Sequence, residues 1–551
     1  MISGARACTL ARVGRDLWRP AACVGGVLLL SALLVAIPAG RRPFWSSDEA
    51  RFALLAQDAL EHGRWLVAEI RGRDYLNKPQ LFFWLVAIAA LPFGRVTELS
   101  AAIPGAIASI AAVAGVIALG WRVWGWTTGA VAGLILATTP LHFDMGHQVL
   151  PDMMLSACLV WALYFLVSAA GSGWPVAPIV GFYACLTAAL LSKGPQALAG
   201  VAAAAVAVAL TDGAGTLRRL RPLRGLGAML AVAAVVWLAP YHLRSAGRFG
   251  QQVVGGHYVT WYMMGSLMGR LESLGEPLVA FLPWTVLLAA APLWWRQSPD
   301  AARRRVALWT ATLWVLVALS GNFRARYVLP VLPGLALLTA ELVTAPVTGR
   351  AARVLRWAAL ACTGLALVTA VVVSLRALHP VVARALIPED RVYLPTAGWE
   401  QTVLAVLALA AAAALVLGLR WRAVWIGAVG LGLAIAGMLV VEGMTYPPRY
   451  TQAFDVRPLA DAASAGLPPD GVVIGHPDLR LSYDVYLRRR VIELPDESSV
   501  RARLATAAHE RFIMPAAQWE TLAPTAGPAW RVLASRSLRD RRMVVVTRVA
   551  P

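Results

Sequence analysis

Long apolar runs dominate the chain, and each is closed by a short interval carrying Arg, Gly or Pro. Runs of some fifteen to twenty apolar residues with few charges suit helices crossing ~30 Å of hydrocarbon. Thirteen are read, near 24–39, 100–120, 127–143, 153–170, 176–192, 194–211, 226–242, 277–294, 306–320, 327–343, 356–375, 401–418 and 423–442. The interval 40–99 breaks the pattern, because Ser46 to Trp84 sets acids, bases and aromatics close together. There Ser46 and Glu49 have capping-box spacing and Gly63 stands where a helix stops, which predicts a helix ending at His62. Phe52, Leu55, Ala59 and Leu60 fall on one face, with Arg51, Asp58, Glu61 and His62 on the wetter one, the pattern of a helix lying in a membrane interface. A second such helix is expected from Pro79.

Apolarity drops again from about Gly443, and Tyr446-Pro447-Pro448 reads as a linker. Beyond it, strands are predicted at 471–475, 485–494, 511–514, 530–534 and 542–549, with helices at 457–466 and 498–509. The fold class is therefore mostly α: a polytopic membrane bundle of about thirteen spans over residues 1–443, followed by a small α/β domain over 444–551.

Composition agrees with that pattern, since a chain of 551 residues that is 59% hydrophobic and 15% charged cannot cover its apolar surface as a soluble globule. The formal charge of +20 sits largely in arginines between apolar runs, where it encodes orientation, and no nucleic-acid partner is needed to explain it. With Pro79–Phe93 lying on the membrane, alternate crossings place Arg122, the 218–224 cluster, Arg296 with Arg303, Arg304 and Arg305, the 350–356 cluster, and Arg420 with Arg422 on the cytoplasmic side. The amino terminus is then cytoplasmic, while the 40–99 loop and the C-terminal domain are extracytoplasmic. Ile37-Pro38-Ala39 lacks the small residue of a cleavage site, so the first run reads as a retained anchor. The five cysteines all lie in or beside spans or on the cytoplasmic side, and imply no disulfide framework.

Two residue types are informative because they are rare. Lysine occurs only at Lys78 and Lys193 among fifty basic residues, and asparagine only at Asn77 and Asn322. A compact ammonium suits a phosphate oxygen in a tight site where a guanidinium fork does not fit, although base composition alone also yields stray lysines. Asp152 begins a span, where an acid serves either as a helix cap or as a functional carboxylate.

Asp-Glu-Ala-Arg-Phe at 48–52 and Gly-Arg-Asp-Tyr-Leu-Asn-Lys-Pro-Gln-Leu-Phe-Phe-Trp-Leu at 72–85 resemble the first external loop of the bacterial aminoarabinose transferases and their protein mannosyltransferase relatives. These are polytopic glycosyltransferases of the GT-C type. The resemblance implies transfer of a sugar from a polyprenyl-phosphate donor to a lipid, glycan or protein acceptor at the outer face of the bacterial cytoplasmic membrane, with inversion. On this chain it implies Asp48 and Asp152 as catalytic carboxylates, and Lys78, Lys193, Arg326, Tyr75 and Tyr327 as donor and phosphate ligands. Glu49, Asn77, His257 and Arg324 are further candidates. His257 lies with Tyr258 and Tyr262 in the 243–276 loop, and Arg324 follows Asn322 in Gly321–Tyr327. Two departures bear on the sugar: Asn77 stands where the aminoarabinose transferases have Glu, and Phe52 where they have Tyr. A cofactor is not implied with certainty, and a divalent metal stays open because the acids form no compact ligand motif. The contending class is a lipid-linked sugar flippase, for which polar or broken helices at mid-membrane are expected; here the polar groups gather at one face.

Overall fold

The computed structural model describes residues 3–44, 46–250, 266–297, 299–320, 324–378, 398–468, 471–475, 479–487, 491–494, 496–507, 510–538 and 541–548. Contacts group the chain into two units. The first comprises Met1–Pro38, Leu76–Phe82 and Pro104–Met444; the second comprises Ala39–Tyr75, Phe83–Ile103 and Thr445–Pro551.

Among the described residues ten helices are long and apolar enough to cross a membrane, or eleven when the bent pair Leu267–Ala280 and Trp284–Gln297 counts as one span. Two of the apolar runs fall outside that set. The run near 127–143 is divided by Pro140 into Trp126–Ala137 and Pro140–Gly146. At 1.5 Å per residue the first piece spans only about 18 Å. The hydroxyls of Thr138 and Thr139 return to the carbonyls of Leu134 and Ile135 (2.7 and 2.8 Å), so the break leaves no hydroxyl stranded. The other is Ala301–Ala318, whose first turns carry Arg303, Arg304 and Arg305.

Those arginines are more than orientation charges. Arg303 is buried at 6% exposure and pairs at 2.5 Å with Glu341, itself 3% exposed. The Trp294 indole N–H donates to the same carboxylate at 3.0 Å, and the Arg303 guanidinium lies over the Trp294 ring. Arg305 makes a two-pronged pair with Asp212, and Asp300 caps the helix through the Ala302 N–H at 2.9 Å. Truncating one partner of a buried pair strands the other charge, at about 3–5 kcal/mol. Arg303→Gln is therefore expected to lower the thermal midpoint of the detergent-solubilised protein by several degrees, and exposed Arg304→Gln to leave it unchanged. Equal midpoints would show that the Arg303–Glu341 pair carries no stability.

Two helical hairpins of the first unit close backbone against backbone. A Cβ at Gly120 would sit 2.8 Å from the Gly129 Cα, and one at Gly418 2.7 Å from the Gly427 nitrogen. Each turn is flanked by arginine and tryptophan: Arg122, Trp124 and Trp126 in one, Arg420, Trp421, Arg422 and Trp425 in the other.

The second unit holds a hairpin of β1 (Glu69–Ile70) and β2 (Arg73–Asp74), together with a five-stranded sheet. That sheet comprises β3 (Val473–Gly475), β4 (Val491–Glu493), β5 (Arg511–Pro515), β6 (Trp530–Ser537) and β7 (Arg542–Arg548), in the order β4-β3-β5-β7-β6. β4, β3 and β5 run parallel, and β7 is antiparallel to both β5 and β6. Alternate residues feed two cores, with Val473, Ile513 and Val545 on one face and Ile474, Phe512, Val544 and Val546 on the other. Helices therefore cover both faces, as near-continuous apolar strands require. Arg457–Ser464 and Ser482–Leu487 lie on the first face, and Glu497–Thr506 and Ala516–Ala526 on the second.

The segment expected as one strand over 485–494 is instead the end of helix Ser482–Leu487 and the strand Val491–Glu493. Tyr483 and Leu487, four apart, both reach the core only from a helix. Helix Ala516–Ala526 had not been anticipated, although Ala516, Trp519 and Leu522 recur at a helical three-residue spacing.

Candidate active site

The charged station of the first unit follows from a helical hairpin. Asp152–Gly171 and Val176–Lys193 are 20 and 18 residues long, so an antiparallel turn brings the start of one level with the end of the other. Asp152 and Lys193 therefore meet as an ion pair, 2% and 4% exposed. Each also sits at the helix end whose dipole suits it, the acid at an amino terminus and the ammonium at a carboxyl terminus. The 3₁₀ segment Ala325–Val331 docks beside them, the Leu329 carbonyl accepting from the Ser156 hydroxyl at 3.1 Å. That places the Arg326 Nε 3.7 Å from the Asp152 Oδ1 and the Tyr327 ring 4.7 Å from the Lys193 Nζ. One carboxylate thus faces two cations, and the partners of Asp152 come from other elements rather than from its own first turn. Arg324 is exposed, its carbonyl accepting from the Tyr327 N–H at 2.8 Å.

Lys78 belongs to the same unit and is carried by a docked backbone. Its carbonyl accepts from the Tyr241 hydroxyl at 2.8 Å, and buried Gln80 donates to the Val236 carbonyl at 3.0 Å. Val236 lies in the π-helical turn Ala234–Leu238, where the widened ladder gives up a carbonyl to an outside donor. Asn77 precedes Lys78 and is half-buried. His257, with Tyr258 and Tyr262, and Asn322 lie outside the described residues.

The second unit holds Asp48, Glu49 and Tyr75. Helix Ser47–His62 begins and ends as its sequence dictates: the Ser46 hydroxyl accepts from the Glu49 N–H at 3.1 Å, and Gly63 takes a left-handed φ of 68°. Glu49 is turned inward, 3% exposed, and takes both prongs of Arg42 at 2.6 and 2.9 Å. Asp48 is the more open of the two, its side chain 23% exposed and paired at 2.5 Å with Arg51. The Arg51 guanidinium in turn lies over the Tyr75 ring, 5.9 Å from its centroid. Burial pushes the Tyr75 phenol up to about 12, with Asp48 adding to the rise and Arg51 opposing it, so the hydroxyl stays protonated at neutral pH. Sequence reading left Arg51 out of the site, although its i,i+3 spacing from Asp48 was a usable signal. It also put Asp58 on the wet face. Asp58 is 8% exposed and accepts from the Glu69 N–H and from Arg64, both at 2.8 Å.

Among the described residues no three His, Cys, Asp or Glu side chains cluster as a metal-ligand set.

The family model described as dolichyl-phosphate-mannose-protein mannosyltransferase matches residues 77–238. The chain is 26% identical over 329 residues to the undecaprenyl phosphate-alpha-4-amino-4-deoxy-L-arabinose arabinosyl transferase of Erwinia tasmaniensis, covering 57% of this chain and 58% of the relative. It is 27% identical over 338 residues to the Serratia proteamaculans protein of that description, covering 56% and 57%. The chain thus spans less than two thirds of the curated relatives it matches. The crystal structure of ArnT from Cupriavidus metallidurans in the apo state superimposes with a TM-score of 0.75 at 20% identity, over 96% of this chain and all of that one. The structure of the same protein bound to undecaprenyl phosphate gives 0.75 at 19%. The fold is therefore that of the ArnT crystal structures.

Proposed function

We propose that this protein is a membrane glycosyltransferase that moves a sugar from a polyprenyl phosphate of the undecaprenyl class to a lipid, glycan or protein acceptor. The observation that carries this is the set of buried Lys193 and Asp152 with half-buried Arg326 and Tyr327. Two cations gather about one carboxylate among apolar helices, and such donors suit the phosphate of a membrane-bound leaving group.

The acceptor oxygen attacks the anomeric carbon as the bond to the lipid phosphate breaks, and the electron pair leaves on the phosphate oxygen. Lys193 and Arg326, with Lys78, hold that oxygen. Each charge-assisted contact contributes about 1.5–3 kcal/mol. Asp48, at the helix amino terminus and paired with Arg51, takes the acceptor proton. Asp152 sets the Lys193 ammonium in place, and neutral Tyr75 and Tyr327 line the donor side. A single displacement inverts the anomeric centre. The neutral Asn77 and Phe52 favour a donor without an amino group over aminoarabinose. The amino terminus is cytoplasmic and the C-terminal domain extracytoplasmic in the inner membrane.

The test is to incubate the purified full-length protein with radiolabelled polyprenyl-phosphate aminoarabinose, mannose and neutral pentoses, with and without chelator, and to follow free lipid phosphate together with labelled acceptor. Stoichiometric appearance of both is expected. Movement of labelled donor between vesicle leaflets with no acceptor labelled would replace the transferase by the flippase reading. A tag after Pro551 is expected to be accessible in intact spheroplasts and one before Arg6 to be protected. Both ends on one side would overturn the orientation.

A further inference from the structure

The β1–β2 hairpin turns on Arg71 and Gly72, both at positive φ, 53° and 75°. Two such residues make the tight turn that matches strand twist, and its first position is normally given to Asn, Asp or Gly. Arginine there is a strained choice, and its side chain shows what holds it. The Arg71 Nε and Nη2 donate to the two carboxylate oxygens of Asp484 at 2.9 and 2.7 Å. Nη1 donates to Glu493 at 2.9 Å and Nη2 also to the Leu479 carbonyl at 3.2 Å. The side chains of Arg71 and Asp484 are 14% and 9% exposed, so this is a buried, planar, two-pronged grip rather than a surface pair.

Its location in the C-terminal sheet matters. Glu493 is the last residue of β4, and Leu479 lies just beyond β3, so the guanidinium enters at the carboxyl end of the parallel strands. That end of an open α/β sheet is where such folds usually take a ligand. Here it takes the tip of a hairpin. Helix Ser482–Leu487, which carries Asp484, holds the same loop a second time: the Tyr486 hydroxyl accepts from the Phe44 N–H at 2.9 Å and donates to Glu98 at 3.0 Å. The chain is thus gripped just before helix Ser47–His62 and again just after it.

From Arg71 the contacts lead to the reacting side of the loop. The Tyr75 N–H donates to the Ala68 carbonyl at 2.9 Å and closes the base of the hairpin. The Tyr75 ring lies under Arg51, and Arg51 pairs with Asp48. We infer that the C-terminal domain is a positioning module for the first loop, with Arg71 as the positioning residue through which Asp484 fixes Tyr75 and, by way of Arg51, Asp48. The effect on transfer rests on the glycosyltransferase reading; the effect on Tyr75 does not.

The experiment uses the full chain in nanodiscs with 3-fluorotyrosine placed at position 75, read by ¹⁹F NMR, in the parent and in Arg71→Gln, Arg71→Lys and Asp484→Asn. The Arg71 side chain lies outside the apolar core of the sheet, so the Arg71 variants retain a folded domain if Asp484→Asn does not. Arg71→Gln and Asp484→Asn are expected to shift the Tyr75 resonance, with Arg71→Lys intermediate because one charge remains without the fork. Arg503→Gln, which breaks the exposed pair with Glu510 in the same domain, is expected to change nothing. In transfer assays Arg71→Gln is expected to lower kcat/KM for the donor about 10-fold, because it displaces Asp48 and also Tyr75, which lines the donor side. A Tyr75 resonance unchanged in all three variants would overturn the inference. If the parent transfers no sugar, the glycosyltransferase reading fails while the resonance still decides the positioning role.

Discussion

Asp48→Asn is expected to lower turnover by about 100-fold or more, the usual scale for removing a positioned acid or base, while the thermal midpoint stays near that of the parent. Its neighbour should behave in the opposite way. Both acids lie in the first turn of one helix and feel its dipole alike, worth roughly 0.3–1 kcal/mol each, so a capping account cannot separate them. Their surroundings do. Asp48 is partly open and paired with one similarly open arginine, and losing a pair of that kind costs about 0.2–1 kcal/mol. Glu49 is buried, accepts two bonds from Arg42 and closes the cap with Ser46. Glu49→Gln takes a two-pronged counter-charge from the Arg42 guanidinium, itself 10% exposed, at a cost of about 3–5 kcal/mol. The expected pattern is lost activity without lost stability at 48, and lost stability with retained turnover per folded molecule at 49. Parent-rate transfer by Asp48→Asn at saturating donor would leave position 48 with no role beyond its helix.

Lys193→Met is expected to reduce transfer by about 10- to 100-fold, the effect of one lost charge-assisted contact of about 1.5–3 kcal/mol. It is also expected to destabilise the protein, because Asp152 keeps its charge at 2% exposure with Arg326 no nearer than 3.7 Å. Pairing it with Asp152→Leu separates the two effects. Removing both charges takes away the stranded carboxylate and should return most of the stability, but not the transfer. A double variant that recovers both would show the pair to be a brace. Lys193→Arg is expected to lose at least about 10-fold, since the ammonium sits between a carboxylate and the Tyr327 ring where a planar fork needs more room.

Much of the architecture was legible because apolar periodicity and end signals act locally. Ser46, Glu49 and Gly63 set their helix as written, and the short continuous apolar runs of β5 and β7 marked them as strands. Where reading failed, a distant partner had decided the matter. Arg303 and Arg305 look like orientation charges until Glu341 and Asp212 arrive from other helices. Asp58 looks wet until Arg64 and the hairpin cover it. The apolar run through 127–143 hides its break because Pro140 interrupts hydrogen bonding and not hydrophobicity. Around the candidate site, the rarity of lysine singled out Lys193, but no spacing rule joins it to Asp152, 41 residues away. That contact follows only from the similar lengths of two antiparallel helices.

The two glycine-closed hairpins bear on how this protein meets lipids of different length. A pair of helices pinched until their backbones touch cannot splay or slide without separating along the whole seam. The arginines and tryptophans at each turn prefer the headgroup zone, so they fix immersion depth at two places on the bundle. Lipid chains that are too long or too short are then met by tilt of the bundle about these anchors or by a change in the bilayer, and not by splaying of either hairpin. Both turns fall among the arginine clusters read as cytoplasmic, so they hold one face of the bundle at its headgroup layer and leave the opposite face to follow the bilayer.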